Sequence, residues 1–356
     1  MTPFAFALCF VGLPISFGFT LPKLLILALC AWRQGWDGLE VPRRLRWPIA
    51  ACFAALIITT AFSIAPGMSL WGRVDSWAYG VLSCALYAVV FAAACANPPE
   101  RKHLAWLGVA LAVHAVVQRA GLDPIVTRAM LPTGRAVGYL GTPFDLGAVL
   151  CMLMFMSQAP WQAVAMAVGI VAADSRGAML AIAFGGAAAL WPRRARWIAA
   201  ASLLFFLAPA WLPKDLARRE IWKSAADTFM ANPLLGAGPD TFLMTFSGER
   251  LEMFRALLNP MATQAQAHND VLQAAATTGL AGLLAYLWLL WRLPATPALV
   301  ALFAYMKFDL FGLEVYAIAA MIAGMECAAL QPIFVTVRGK VHELSAARGD
   351  DFKEDA

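Results

Sequence analysis

Charge is scarce in this chain. Of 356 residues, 27 are Lys or Arg and 22 are Asp or Glu, so 14% are charged while 61% are hydrophobic. A soluble globular protein is about one-quarter charged and about half apolar. The shortfall excludes an ordinary cytosolic enzyme and a disordered chain. Cysteines are also few, and none is spaced as Cys-x-x-Cys. Cys9, Cys30, Cys52, Cys84, Cys95, Cys151 and Cys327 all lie in apolar runs. Neither a disulfide framework nor a cysteine metal site is expected, and these residues read as small core side chains. There is no His-Glu-x-x-His and no His/Cys cluster, so no metal is expected. Gly236-Ala237-Gly238 lacks the Lys and Ser/Thr of a phosphate-binding loop, so no nucleotide cofactor is expected. No basic patch interleaved with aromatics points to nucleic acid.

What is present is a succession of apolar runs. Each approaches the ~20 residues that cross a bilayer about 30 Å thick. The reading is an all-α, polytopic integral membrane protein of about 12 transmembrane helices. The expected helices are roughly Phe4–Phe17, Leu21–Trp32, Pro48–Ile64, Val74–Ala96, His103–Ala120, Tyr139–Ser157, Trp161–Ala173, Ala178–Trp191, Trp197–Leu212, Asn269–Trp291, Pro297–Leu310 and Leu313–Phe334. The first two are equally one kinked helix. The N-terminus lacks the basic region of a removable signal peptide. Residues 1–344 read as a single transmembrane domain and 345–356 as a cytoplasmic tail.

The net charge of +5 matters less than its placement. Arg33, Arg43, Arg44 and Arg46 fall in one short loop, Arg101 and Lys102 in another. Arg193, Arg194 and Arg196 fall in a third, and Arg338, Lys340, Arg348 and Lys353 in the tail. Counting twelve helices puts all of these on one side, which the positive-inside rule makes cytoplasmic. Ala65–Arg73, Gly121–Gly138, Asp174–Gly177 and Pro213–His268 then lie outside. The last of these is the one long polar stretch. Residues 213–267 read as an outer-side segment with short amphipathic helices, above all Leu216–Met230.

Charges that interrupt apolar sequence are costly and mark candidate sites. Asp174-Ser175-Arg176-Gly177 reads as a tight turn with a snorkelling arginine, or as a guanidinium held at the membrane surface for an anion. Arg218-Arg219-Glu220 opens the amphipathic piece, which alone would be a solvated interfacial helix. His268-Asn269-Asp270 opens an apolar helix. His268 is either a polar cap or, as neutral imidazole at a helix N-terminus, a proton acceptor. Asn269 or Asp270 caps or orients it. The other histidines read as solvated (His103, His342) or buried and hydrogen-bonded (His114).

The order of these pieces carries more than each alone. Asp174-Ser175-Arg176-Gly177 is followed by Arg218 four residues before Trp222. Then come Asn232-Pro233-Leu234-Leu235-Gly236-Ala237-Gly238-Pro239 and Ala267-His268-Asn269-Asp270. Gly279-Leu280-Ala281-Gly282 closes the series. This succession, with Gly134–Pro143 before it, resembles the O-antigen ligase / O-antigen polymerase superfamily of membrane glycosyltransferases over roughly Arg135–Leu290.

The resemblance implies a periplasmic reaction at the bacterial inner membrane. A glycan moves from an undecaprenyl diphosphate donor to a lipid A–core sugar or a lipid-linked glycan, without metal or cofactor. It implies His268 as base, with Arg176 and Arg218 at the diphosphate. Arg219 is the alternative to Arg218, Arg135 is a further diphosphate candidate, and Asn269 and Asp270 are further binding residues. Ligase leads, polymerase follows, and protein O-oligosaccharyltransferase is a third possibility. A lipid-linked sugar flippase is the reading from another class. It would draw on the intramembrane charges Lys23, Lys307, Asp309, Glu314 and Glu326.

Overall fold

The computed structural model describes residues 41–73, 78–124, 134–204, 216–258, 261, 264–306, 312–330, 333–337 and 340–344. The order is α1 (Arg43–Ala61), α2 (Pro66–Trp71), α3 (Val81–Ala96), α4 (Arg101–Ala120), α5 (Pro143–Met154), α6 (Pro160–Ala172) and α7 (Arg176–Leu190). It continues with α8 (Ala195–Leu204), α9 (Leu216–Ala231), α10 (Phe242–Thr245), α11 (Gly248–Leu257), α12 (Asp270–Arg292), α13 (Pro297–Tyr305) and α14 (Leu313–Ala329). Among the described residues, every regular element up to Ala329 is a helix, as the sequence reading expected. An antiparallel hairpin, β1 (Ile333–Val337) and β2 (Lys340–Leu344), pairs Ile333 with Leu344 and follows α14 where helix had been expected to Phe334. The expected helices at Phe4–Phe17 and Leu21–Trp32, Lys23, Lys307, Asp309 and the tail 345–356 lie outside the described residues.

Several helices start where the sequence supplies a cap. Thr142 precedes Pro143, and its hydroxyl oxygen accepts from the Asp145 N–H at 3.0 Å. Asn269 caps α12, its Oδ1 accepting from the Leu272 N–H at 3.1 Å. Pro160 and Pro297 stand at first helical positions of α6 and α13. Gly121 ends α4 in the left-handed conformation.

Helix pairs pack α3 on α14, α7 on α13, α1 on α12, and α4 on α6. Small residues allow close approach: a Cβ on Gly169 would run into Ala112, and one on Gly324 into the Phe91 carbonyl. Polar side chains such as Gln118, Asp145, Gln162 and Ser175 are buried. Apolar ones at helical spacing face outward: Leu280, Leu284, Trp288 and Trp291 on α12, and Val164, Val168 and Val171 on α6. Outward apolar stripes of this kind suit a lipid surround.

Among the described residues, two helices, Arg43–Ala61 and Asp270–Arg292, are long and apolar enough to cross a membrane. Val81–Ala96, Pro143–Met154, Pro160–Ala172 and Arg176–Leu190 are apolar but shorter. The runs that suggested full spans are trimmed by Pro, Gly and polar caps at their ends. Residues Arg43, Arg44 and Arg46, expected in a loop, form the first turns of α1 instead. Glu326 accepts from Arg101 Nη2 at 2.6 Å, so this charge is paired across α14 and α4.

One break organises the candidate site. Gly279 leaves helical geometry (φ 62, ψ −163) inside α12. A break frees carbonyls below it and N–H groups above it. The 232–238 run fills both needs. Ala237 N–H donates to Ala276 at 3.0 Å and Gly238 N–H to Thr277 at 2.8 Å. Leu280 N–H donates to Pro233 at 2.8 Å and Ala281 N–H to Leu234 at 3.3 Å. The α1–α2 corner grips the same run: Ile64 N–H donates to Ala237 at 3.0 Å and Ser69 Oγ to the Pro239 carbonyl at 2.8 Å.

Candidate functional site

The described residues hold non-glycine positive φ at Asp174 (48°), Asp240 (59°) and His268 (46°). Such conformations cost on the order of 1–3 kcal/mol each and persist only where the surroundings over-determine them. Asp174 and His268 lie at bends that carry candidate residues, and Asp240 follows the run bonded to α12.

The first bend leads into α7. Arg176 is the first residue of that helix and is exposed. Arg135 holds the bend from outside: Nε donates to Ala173 O at 3.1 Å and Nη2 to Asp174 O at 2.8 Å. Its guanidinium also stacks over Phe144 at 4.9 Å. Arg135 is therefore committed in part to shaping the turn before Arg176. Ser175 is buried, its hydroxyl 2.7 Å from the Tyr305 hydroxyl at the end of α13.

The second bend leads into α12. His268 is half-buried, and Asn269 and Asp270 are 1% and 5% exposed. Four hydrogen bonds flank His268. Ala267 N–H donates to Gln273 Oε1 at 2.9 Å, Leu272 N–H to Asn269 Oδ1 at 3.1 Å, Gln273 N–H to Asn269 O at 2.8 Å, and Asp270 N–H to Met306 O at 3.1 Å. The last bond links the two bends, because Met306 follows Tyr305. The Arg176 turn and the His268 turn are thus fastened to adjacent residues of one helix end.

The third candidate, Arg218, sits in the first turns of α9 and is half-buried, whereas Arg219 is exposed. α9 packs on α12 and α11. Ala217, Ile221 and Trp222 share an apolar cluster with Ala267, Leu272 and Ala276, so the Arg218 turn lies against the His268 corner. The helix is clamped on its other side. Arg250 of α11 bridges Glu220 at 3.3 Å and Asp227 at 3.0 Å, and Lys223 bonds Glu220 at 2.6 Å. The Asp227 hydrogen bond raises the pKa of Arg250.

Behind the His268 corner lies a cavity of about 310 Å³ between α1, α3, α12, α13 and α14. Its wall is mostly apolar, with Leu56, Phe91, Leu290 and Phe303 among the lining residues. A polar stripe runs along α12: Asp270, Gln273, Thr277 and Thr278. Asp270 accepts from Tyr316 at 2.7 Å and from Tyr286 at 2.9 Å, and Tyr316 lies 2.8 Å from Tyr79. Asp270 is thus the hub of a buried hydroxyl network. The Nδ2 of Asn269 and the Nε2 of Gln273 are buried without a protein partner. Backbone donors fix both amides, so each presents only N–H outward.

Sequence reasoning passed over Gln273, the tyrosines and Arg73. Gln273 and the tyrosines lie within apolar helices and give no local signal. Arg73 does have one, since it ends an outer-side loop between apolar runs. Its guanidinium reaches Ala265 O at 3.2 Å. His114 is half-buried and, as expected, hydrogen-bonded, 2.9 Å from Asp123 and stacked on Tyr139. Among the described residues no cysteine is in a disulfide; Cys95, Cys151 and Cys327 are buried, and Cys52 and Cys84 line the cavity.

Residues 161–287 match a family model described as O-antigen ligase (Wzy_C). That span contains Arg176, Arg218, Arg219, His268, Asn269 and Asp270, and Arg135 lies before it. No curated protein matches the chain.

Proposed function

Because this chain belongs to the O-antigen ligase/polymerase superfamily, we propose that it transfers a glycan from an undecaprenyl diphosphate carrier to a sugar of lipid A–core. Members of the family are integral proteins of the bacterial inner membrane and enzymes of glycan transfer. The proposed reaction faces the periplasm and needs neither metal nor cofactor.

The acceptor hydroxyl oxygen attacks the anomeric carbon and forms the new glycosidic bond. The bond from that carbon to the diphosphate oxygen breaks, and its electron pair leaves with undecaprenyl diphosphate. A single displacement of this kind inverts the anomeric centre. His268 takes the hydroxyl proton as attack proceeds. Arg176 and Arg218 meet the charge that grows on the diphosphate, where preorganised donors matter most. Arg135 shapes the Arg176 turn, Arg219 offers a second cation at the rim, and Asn269 and Asp270 hold the His268 corner.

The observation that carries this reading is the joining of the two bends. The turn bearing Arg176 and the turn bearing His268 are bonded to Tyr305 and Met306, and the Arg218 helix leans on the same corner. The apolar cavity behind it suits a lipid-borne donor. The same arrangement serves a polymerase, whose acceptor is a second lipid-linked repeat unit. The flippase reading loses support because Glu326 is tied to Arg101.

The test is a lipopolysaccharide gel from cells lacking the protein. Loss of a ligase leaves polymer on the lipid carrier and none on the core. Loss of a polymerase leaves core bearing a single repeat unit. An unchanged gel, with wild-type amounts of every lipid-linked glycan, overturns both.

A further inference from the structure

We propose that Arg73 is a positioning residue for His268. It comes from a part of the chain before the matched span, at the exit of α2. Its guanidinium is buried, the residue being 9% exposed, and Nη1 donates to the Ala265 carbonyl at 3.2 Å. Ala265 stands three residues before His268. The backbone N–H of Arg73 donates to Asp240 Oδ2 at 2.7 Å. Asp240 is fully buried and held at φ 59°. It directly follows the run that is bonded to Ala276 and Thr277 of α12.

Arg73 therefore stands where three segments meet: the α2 exit, the 236–240 run and the 264–268 approach. The approach has no helix or strand of its own. Gln273 restrains it from within α12, and Arg73 restrains it from elsewhere in the fold. A guanidinium suits that task. It is always charged and planar, and its hydrogen bond to a carbonyl is charge-assisted. With it removed, residues 264–267 lose their outer anchor. His268 then leaves the left-handed conformation that sets its imidazole against the acceptor. A misplacement of about 1 Å at a reacting group costs on the order of 100-fold in rate.

The catalytic part of this proposal rests on His268 acting as the base. The placement part does not, and two measurements separate them. Full-length wild type, Arg73→Met and Arg73→Lys are reconstituted in lipid nanodiscs. The first measurement is acylation of each histidine by diethyl pyrocarbonate, resolved by mass spectrometry. His103, exposed in the first turn of α4, is the internal control. The second is transfer from undecaprenyl-diphosphate-linked repeat unit, with lipid A–core or a second repeat unit as acceptor.

Expected for Arg73→Met is a several-fold faster reaction at His268 with none at His103 beyond wild type. Its kcat should fall by about 100-fold with an unchanged KM for the donor. Arg73→Lys, which keeps the charge, should recover part of both. If Arg73→Met fails to insert, Arg73→Lys carries the test, and wild-type values in both measurements overturn the proposal. A wild-type rate at His268 in both variants overturns it as well. So does a raised donor KM at constant kcat, which assigns Arg73 to the donor itself. If wild type transfers nothing while the His268 shift persists, the placement stands and the proposed reaction falls.

Discussion

The N–H of Leu280 donates to the carbonyl of Pro233 at 2.8 Å, across the break that Gly279 makes in α12. This contact closes only because two glycines face each other's backbones. A Cβ on Gly279 would strike the Leu234 carbonyl, and one on Gly236 would strike Thr277. Both also hold positive φ. Gly279→Ala and Gly236→Ala should each lower the unfolding temperature by at least the equivalent of about 1–3 kcal/mol of backbone strain. Gly186 lies in α7 with open space around it, so Gly186→Ala should be neutral or stabilising by up to about 1 kcal/mol. Thermal unfolding in detergent compares the three, and equal midpoints would show that the break does not depend on glycine.

That break marks how far the sequence can be read. Asn232–Pro239 was legible as a member of the ordered succession, and Leu216–Met230 as an amphipathic helix. The local residue choices are strong in both. The partner of the broken run, forty residues along in α12, leaves no local trace, because a backbone hydrogen bond uses no side chain. Gln273 and Tyr316 are hidden for a different reason: their side chains sit in apolar helices, and their partners meet them only in the fold. Arg176, Arg218 and His268 were legible because charge within apolar sequence is costly wherever the chain folds. Arg73 obeyed that rule too, but stood outside the span whose order carried the resemblance.

His268→Ala and Arg176→Ala should insert and fold, since neither side chain fills the core. Each should lose about 100- to 1,000-fold in transfer rate, the usual loss for one electrostatic or proton-transfer partner. Release of undecaprenyl diphosphate by purified variants measures this. Wild-type transfer by a well-expressed His268→Ala protein would remove His268 from the mechanism.

Arg218 and Arg219 separate by their faces of α9. Arg218 is half-buried, beside Ala217 and the face that packs on the His268 corner, and Arg219 is exposed. Arg218→Ala should therefore cost about 100-fold or more in rate. Arg219→Ala should change kcat little and act, if at all, through a salt-dependent KM. The reverse order would move the diphosphate contact by one residue.

Asp270 accepts from the hydroxyls of Tyr286 and Tyr316 in a mostly apolar cavity. Asp270→Ala removes that acceptor while leaving both phenols in place. A buried polar group left unsatisfied costs about 1–3 kcal/mol. Removing the Tyr286 hydroxyl together with its acceptor is milder, because that hydroxyl is then not left unsatisfied. Asp270→Ala should thus be more destabilising than Tyr286→Phe, and the double variant should fall short of their sum by about 0.5–3 kcal/mol. A double-mutant cycle on thermal unfolding reads this coupling directly. Additive effects would mean that the two groups do not stabilise one another, and that the α12 stripe is held by packing alone.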